Sequence, residues 1–175
     1  MINSTPTSPM SALRMLLLAL TLGATAPAVL AHGDTAQASA KADAPLSTEV
    51  HTFGKQGAAQ NVTRTITIVM SDAMRFSPGD IKVRQGETIR FIVRNKGKVL
   101  HEMVIGTMEE LKSHGELMKQ HPGMEHDEAY MAHVGAGKKG QMVWQFTEPG
   151  AFYFACLLPG HLEAGMVGKI TVTKG

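Results

Sequence analysis

Three side chains that bind transition metals follow one another at intervals of five residues: Cys156, His161 and Met166. A fourth candidate, His101, lies far upstream. A copper ion that is stable as both Cu(I) and Cu(II) needs soft sulfur for the reduced ion and imidazole nitrogen for the oxidised ion. A trigonal His2Cys set with a weak axial methionine supplies both. The four residues therefore predict a type 1 copper site, with Met166 on its axis.

Zinc is the competing metal, because it also binds cysteine and histidine. Structural zinc sites use cysteine, histidine and carboxylate donors, so the thioether of Met166 favours copper. Each donor also has a purely structural interpretation, since a lone buried cysteine packs as a small hydrophobe and methionine fills gaps in a core. The four donor types together favour a metal, because packing alone does not require this set.

The loop that carries three of the donors lies between two predicted strands, residues 151–156 and 166–173. Pro159-Gly160 is a turn signal that brings His161 back toward the cysteine. His101 lies in residues 99–105, whose alternation predicts a strand with the histidine on an apolar face. Two neighbouring strands and one more distant strand would thus present the donors.

Further strands are predicted where apolar and polar residues alternate between Gly, Pro and Asn turns. They cover residues 64–70, 81–83, 88–93 and 140–146. Short strands at this spacing are typical of a β-sandwich, so we expect an all-β fold.

Several of these motifs resemble the cupredoxin family of plastocyanin and azurin. They are Met74-Arg-Phe-Ser-Pro-Gly, Asn95-Lys-Gly, His101-Glu-Met-Val-Ile-Gly, Pro149-Gly-Ala-Phe-Tyr-Phe-Ala-Cys and Gly160-His161. Within the family they are most similar to the periplasmic copper-tolerance cupredoxins of bacteria, the CopI group. The resemblance covers roughly residues 64–175 and implies a Greek-key β-sandwich that binds one copper through the matching His, Cys, His and Met. The loop from Cys156 to Met166 is longer than in plastocyanin or azurin. The strength of the bond from Met166, which decides between a blue and a green copper site, therefore does not follow from the resemblance.

Residues 108–133 break the rhythm of the strands. A helix is predicted from Met108, because Thr107 and Glu110 have the spacing of a capping box. Pro122-Gly123 should end it. Leu111, His114, Leu117 or Met118, and His121 would share one face.

This Met/His-rich insertion is dense in copper donors. It contains His114, His121, His126 and His133 interleaved with Met108, Met118, Met124 and Met131. Imidazole and thioether suit Cu(II) and Cu(I), so a second, weaker copper site is one interpretation. Its expected contributors are His121, Met124, His126, Met131 and His133. The alternative is a helical lid over the first site, whose methionines pack and whose histidines lie at the surface.

The beginning of the chain predicts export. Arg14 precedes an apolar run that ends with a small-residue cleavage pattern at Ala31, which is typical of a secretory signal peptide. We expect residues 1–31 to be removed, residues 32–61 to form a flexible tail and residues 62–175 to form the cupredoxin domain in the periplasm, with no membrane span. Oxidising compartments favour paired cysteines, so the single Cys156 fits a metal-bound thiolate.

Three classes of function are compatible with such a copper. The first is copper tolerance or homeostasis through sequestration or oxidation of Cu(I), and the second is electron transfer with a transient redox protein near His161. The third, a catalytic copper enzyme, is disfavoured because the chain has no His-x-His pair for a further copper centre. Copper ions are the expected partners, and nucleic acid is not, because the basic residues are scattered.

Overall fold

The computed structural model describes residues 45–121 and 126–175. In chain order the strands of this part are β1 (Val50–His51), β2 (Gly54–Gln56), β3 (Arg64–Ser71), β4 (Arg75–Ser77), β5 (Asp80–Arg84), β6 (Thr88–Asn95), β7 (His101–Gly106), β8 (Met131–Val134), β9 (Lys139–Gln145), β10 (Gly150–Ala155) and β11 (Val167–Thr173). Helix α1 (Met108–Gln120) lies between β7 and β8, and a short 3-10 helix (Ala59–Asn61) precedes β3. All the strands predicted from alternation are present.

The strands form two sheets, which confirms the predicted β-sandwich. One sheet has the order β1-β2-β9-β6-β3-β4, and the other has the order β5-β11-β10-β7-β8. Most neighbouring strands are antiparallel, but β3 pairs with β6 and β5 pairs with β11 in parallel. In the second sheet β10 lies between β11 and β7, so the strand that leads into the three-donor loop pairs directly with the strand that begins with His101.

The main core lies between the two sheets. Ile68, Phe91 and Trp144 of the first sheet belong to the same buried cluster as Phe154 and Ile170 of the second. Each comes from a strand that alternates apolar and polar residues, so one face of each strand is removed from water. This burial supplies the main stabilisation of the sandwich.

Helix α1 begins as predicted, with both hydrogen bonds of the Thr107–Glu110 capping box in place. It ends at Gln120, followed by the capping residue His121; Pro122 and Gly123 come next and lie outside the described residues. Its buried residues are Leu111, Gly115 and Met118, whereas Leu117 is half exposed, so Met118 rather than Leu117 belongs to the packed face.

The helix packs on the outer face of the second sheet. Leu111 and Met118 form a second buried cluster with Val104 of β7, Met131 of β8 and Leu157. All six residues of β7 are therefore buried, three against the sandwich core and three beneath the helix. The predicted alternation of β7 is correct, but neither face of this strand meets solvent.

Residues 50–61, which we expected to be part of a flexible tail, carry regular structure. Strand β2 extends the first sheet by pairing with β9. The reason is Phe53, which is buried, stacks on Trp144 with ring centroids 5.3 Å apart, and accepts a 2.9 Å hydrogen bond from the indole N–H at its carbonyl. An aromatic anchor of this size offsets the entropy lost on ordering the segment.

The predicted signal peptide, its cleavage point at Ala31 and residues 32–44 of the predicted tail lie outside the described residues. Within residues 45–121 and 126–175, no helix has the length and apolar character needed to cross a membrane.

Candidate metal centre

The sandwich brings three of the predicted donors together at one end of the second sheet. His101 is the first residue of β7, Cys156 directly follows the last residue of β10, and His161 lies in the loop that leads to β11. The donor atoms of the three side chains all lie within 4.8 Å of one another. Sγ of Cys156 and Nδ1 of His161 are 3.2 Å apart. Such a spacing is suited to a single ion between them.

The buried ring of His101 has one nitrogen paired and one unpaired. Its Nε2 lies 3.0 Å from Oδ1 of Asp72, whereas its buried Nδ1 has no hydrogen-bond partner. A buried polar atom without a partner carries a desolvation cost, and in a native structure it calls for an explanation. A metal ion bound to Nδ1 satisfies that atom. The donor set of two imidazoles and a thiol fits copper.

The thiol of Cys156 is completely buried in the core. Burial raises the pKa of Cys156 to about 12, although the backbone N–H groups of Glu102 and Leu158 act in the opposite direction. The N–H of Glu102 donates to Sγ at 3.4 Å. Without metal the group is therefore a neutral thiol at physiological pH, and a cation must displace its proton in order to bind the thiolate.

His161 is the more accessible of the two histidines. Burial lowers its pKa, and the neighbouring ring of His101, 5.0 Å away between centroids, lowers it further. The imidazole of His161 is therefore neutral at neutral pH and has a lone pair available for a metal.

Met166 lies beside the same loop and is fully buried. Its N–H donates to the carbonyl of His161 at 3.0 Å, and its carbonyl accepts the N–H of Cys156 at 3.1 Å. It belongs to the same buried cluster as Cys156. Two backbone hydrogen bonds thus hold Met166 next to the three gathered donors.

Two carboxylates at this site were not predicted from the sequence. Asp72 follows β3, and its Oδ2 accepts the N–H of Lys98 at 2.8 Å. That hydrogen bond is the largest cause of the lowered pKa of Asp72, followed by the contact with His101. Nothing in the sequence signals Asp72, because only closure of the sandwich brings it to the histidine. Glu102 adjoins a predicted ligand, but strand alternation alone placed it on a face away from the metal.

A second group of donors is formed by helix α1 and the segment that follows it. Nε2 of His114 and Nε2 of His126 are 3.0 Å apart, and Nε2 of His133 lies 3.1 Å from the carbonyl oxygen of His126. We call His114, His126 and His133 the histidine cluster. Its first two members line an open cleft of about 520 Å³ together with Met118. Burial is the largest cause of the lowered pKa of His114, and the neighbouring His126 lowers it further, so the ring of His114 favours its neutral form.

The structure places the expected copper donors of the insertion in different environments. His126 and His133 are brought together, with His114 in place of His121, which is exposed at the end of the helix. Met118 and Met131 are buried between the helix and the sheet, as the packing interpretation of the methionines predicts. Met124 lies outside the described residues. The structure therefore contains features of both interpretations.

Comparison with known proteins agrees with this geometry. Residues 62–173 match the model of the copper binding proteins of the plastocyanin/azurin family. The chain is 51% identical over 120 residues to the copper-resistant cuproprotein CopI of Rubrivivax gelatinosus, covering 69% of this chain and 73% of that protein. It is 33% identical over 187 residues to CopI of Pseudomonas aeruginosa, covering 90% and 93% of the two chains.

Solved structures show the same fold. Auracyanin B matches with a TM-score of 0.59 at 20% identity, covering 69% of this chain and 96% of its own. An azurin from Methylomonas sp. strain J matches with a TM-score of 0.51 at 18% identity, covering 63% and 98%.

The sandwich and its cluster of two imidazoles and a thiol define a cupredoxin, a small β-sandwich protein whose cofactor is copper. This chain belongs to the plastocyanin/azurin family of copper-binding proteins, and it is similar to the CopI cuproproteins.

Proposed function

We propose that this protein is a periplasmic type 1 copper protein that serves copper tolerance, by sequestering copper or by oxidising Cu(I). His101, Cys156 and His161 would hold the ion, with Met166 as a fourth and weaker donor. The single observation that carries the copper role is the unpaired, buried Nδ1 of His101 within a cluster that also holds the thiol and the second imidazole. Bound copper supplies one-electron chemistry to this site.

The protein residues prepare the site for that chemistry. Asp72 orients the ring of His101, since an outer carboxylate on one ring nitrogen directs the other nitrogen toward a metal. The apolar surroundings of Cys156 exclude water from the sulfur. The hydrogen bonds between Cys156, His161 and Met166 hold the loop in one arrangement, which limits the change in geometry between the two oxidation states.

Two observations favour tolerance over a simple carrier role. The matched relatives in Rubrivivax gelatinosus and Pseudomonas aeruginosa are named copper-resistant cuproproteins. In addition, two members of the histidine cluster, His114 and His126, offer imidazole donors apart from the first site, in a cleft open to solvent. We propose this cluster as a second, weaker copper site, with His114 and His126 as its main ligands.

Electron transfer between redox proteins is the second candidate function. Val99 and Leu100, immediately before His101, are 46% and 44% exposed and form a small apolar surface beside the site. Leu158 and Leu162 flank His161 in the ligand loop and are partly buried. An apolar surface beside a buried redox site is suited to brief docking of a partner.

Copper titration of the purified mature chain tests the copper role directly. We expect an intense sulfur-to-copper charge-transfer band in the visible spectrum, which Cys156→Ala abolishes. Met166→Leu should retain copper but shift the spectrum and the potential. A wild-type protein that stays colourless with Cu(II) would disprove the type 1 site.

Stoichiometry and growth separate the two functions. The tolerance role predicts more than one copper per chain, reduced toward one by the double variant His114→Ala, His126→Ala, and poor growth of a deletion strain in excess copper. Saturation at one equivalent, with normal growth in copper and failure of a respiratory step, would support the carrier role instead.

A further inference from the structure

Glu102 is a buried carboxylate that the proposed copper role does not use. Its side chain is fully buried between the second sheet and helix α1, a region otherwise filled by apolar residues such as Val104 and Leu111. Burying an unpaired carboxylate is strongly unfavourable, so a buried one is normally fixed by specific partners. The partners of Glu102 indicate what it does.

One end of Glu102 contacts the cysteine that would bind copper. Its backbone N–H donates to Sγ of Cys156 at 3.4 Å. Its Oε1 accepts the N–H of Leu157 at 2.8 Å, a buried hydrogen bond across 55 residues of sequence. The same residue therefore contacts the sulfur and the peptide unit that directly follows it, so the position of Cys156 depends on Glu102.

The other end of Glu102 contacts the histidine cluster. Its Oε2 lies 3.0 Å from Nδ1 of His133, a distance typical of an ion pair although the direction falls outside hydrogen-bond geometry. The opposite nitrogen of His133 contacts the carbonyl of His126, and the ring of His126 contacts His114. A continuous series of contacts thus runs from the cysteine sulfur through Glu102 to the histidine cluster.

We propose that Glu102 is a positioning residue that fixes the copper-binding cysteine loop and links its geometry to the histidine cluster. This inference rests on the proposed type 1 role of Cys156. A carboxylate beside the sulfur favours Cu(II) over Cu(I) relative to a neutral group of the same shape, because the ion of higher charge gains more from nearby negative charge. Glu102 therefore lowers the reduction potential, and occupation of the histidine cluster is transmitted to the first site through His133.

The substitution Glu102→Gln tests the proposal in the full mature chain. Glutamine keeps the size of the side chain and an oxygen for the N–H of Leu157, but it removes the charge. We expect the variant to bind copper with an altered charge-transfer band and an altered electron spin resonance spectrum. The ratio of Cu(I) to Cu(II) affinity should rise at least about tenfold, which equals a potential higher by about 59 mV.

Glu148→Gln is the matched control, because Glu148 is an exposed carboxylate outside both donor groups. A Glu102→Gln protein whose spectrum and potential equal those of the control would overturn the proposal. If Glu102→Gln does not fold, His133→Gln decides, because it removes only the far end of the series of contacts. A changed type 1 spectrum or potential in that variant supports the link, and unchanged values refute it.

Failure of this inference differs from failure of the copper role. If the wild-type chain gives no charge-transfer band, the type 1 assignment is wrong. If the wild type is coloured and the potential of Glu102→Gln is unchanged, only the role of Glu102 is wrong.

Discussion

The Asp72 carboxylate lies 3.0 Å from Nε2 of His101, on the opposite side of the ring from the unpaired Nδ1. The two residues come from different sheets, since Asp72 follows β3 and His101 begins β7. Asp72 is itself held by the N–H of Lys98. The contact thus fixes the tautomer and the direction of the buried His101 ring. Without Asp72, neither nitrogen of this ring would have a hydrogen-bond partner.

Replacing this carboxylate should weaken copper binding. In Asp72→Asn the ring of His101 loses the charge that makes it a better donor, so we expect affinity for Cu(II) to fall about 10- to 100-fold. Competition with a chelator of known affinity measures the change. Asp80→Asn, an exposed change at the start of β5, is the control and should leave the affinity unaltered. Equal affinities in the two variants would contradict the role of Asp72.

Copper binding should release a proton from Cys156. Burial raises the pKa of this thiol to about 12. The metal-free group therefore stays protonated from about pH 6 to about pH 9, the range used for the titration. One proton per copper should leave this group, and the apparent affinity should rise about tenfold per pH unit. Calorimetry in buffers of different ionisation enthalpy counts the protons. Cys156→Ala should lose this release, whereas an affinity independent of pH would show that the thiolate is not a ligand.

Gly115→Ala should stabilise the protein. Gly115 lies within helix α1 and faces the ligand loop, where an added Cβ would lie 3.7 Å from Leu162 and 3.9 Å from Leu157, both ordinary contacts. Alanine in a helix interior is favoured over glycine by up to about 1 kcal/mol. Thermal unfolding should show the gain. Gly137→Ala is the opposing control, because φ is +71° there and the left-handed backbone costs about 1–2 kcal/mol for a residue with a side chain.

The pair His133–Glu102 should make stability depend on pH. The contact with Glu102 is the main cause of the raised pKa of His133 in the folded protein. A raised pKa means that the stabilisation is fully present below the unfolded value of 6.5 and is lost as pH rises through the folded value. His133→Gln should therefore lower the free energy of unfolding most below about pH 6 and least near pH 9. Denaturant titrations of the metal-free chain at several pH values measure this, and a difference that grows with pH would contradict it.

Much of this architecture could be predicted from local sequence. Alternation located the strands, and the Thr107–Glu110 spacing located the start of α1, because both patterns depend on neighbouring residues only. The gathering of His101, Cys156 and His161 was also predictable, since three donors of matching chemistry on two strands and a loop favour a common ion.

The remaining features depend on which segments meet in the closed sandwich. In the sequence, Phe53 is an isolated aromatic residue in a polar segment. Residues 50–61 are ordered because Phe53 stacks on Trp144, a contact that the local sequence does not indicate. Glu102 was correctly assigned to the face of β7 opposite His101. The 13-residue helix α1 buries that face, but the alternation of residues in β7 does not indicate that a helix packs there. The pairing of His114 with His126 likewise results from the docking of α1.

Strand β11 lies inside the second sheet, in parallel with β5 and antiparallel to β10. Because the ligand loop runs directly into β11, the pocket cannot close until that strand has found a partner far back in the sequence. The order of the ligand loop therefore depends on a contact between strands that are far apart in sequence, and loosening β11 from β5 would also release His161 and Met166 from their places beside Cys156.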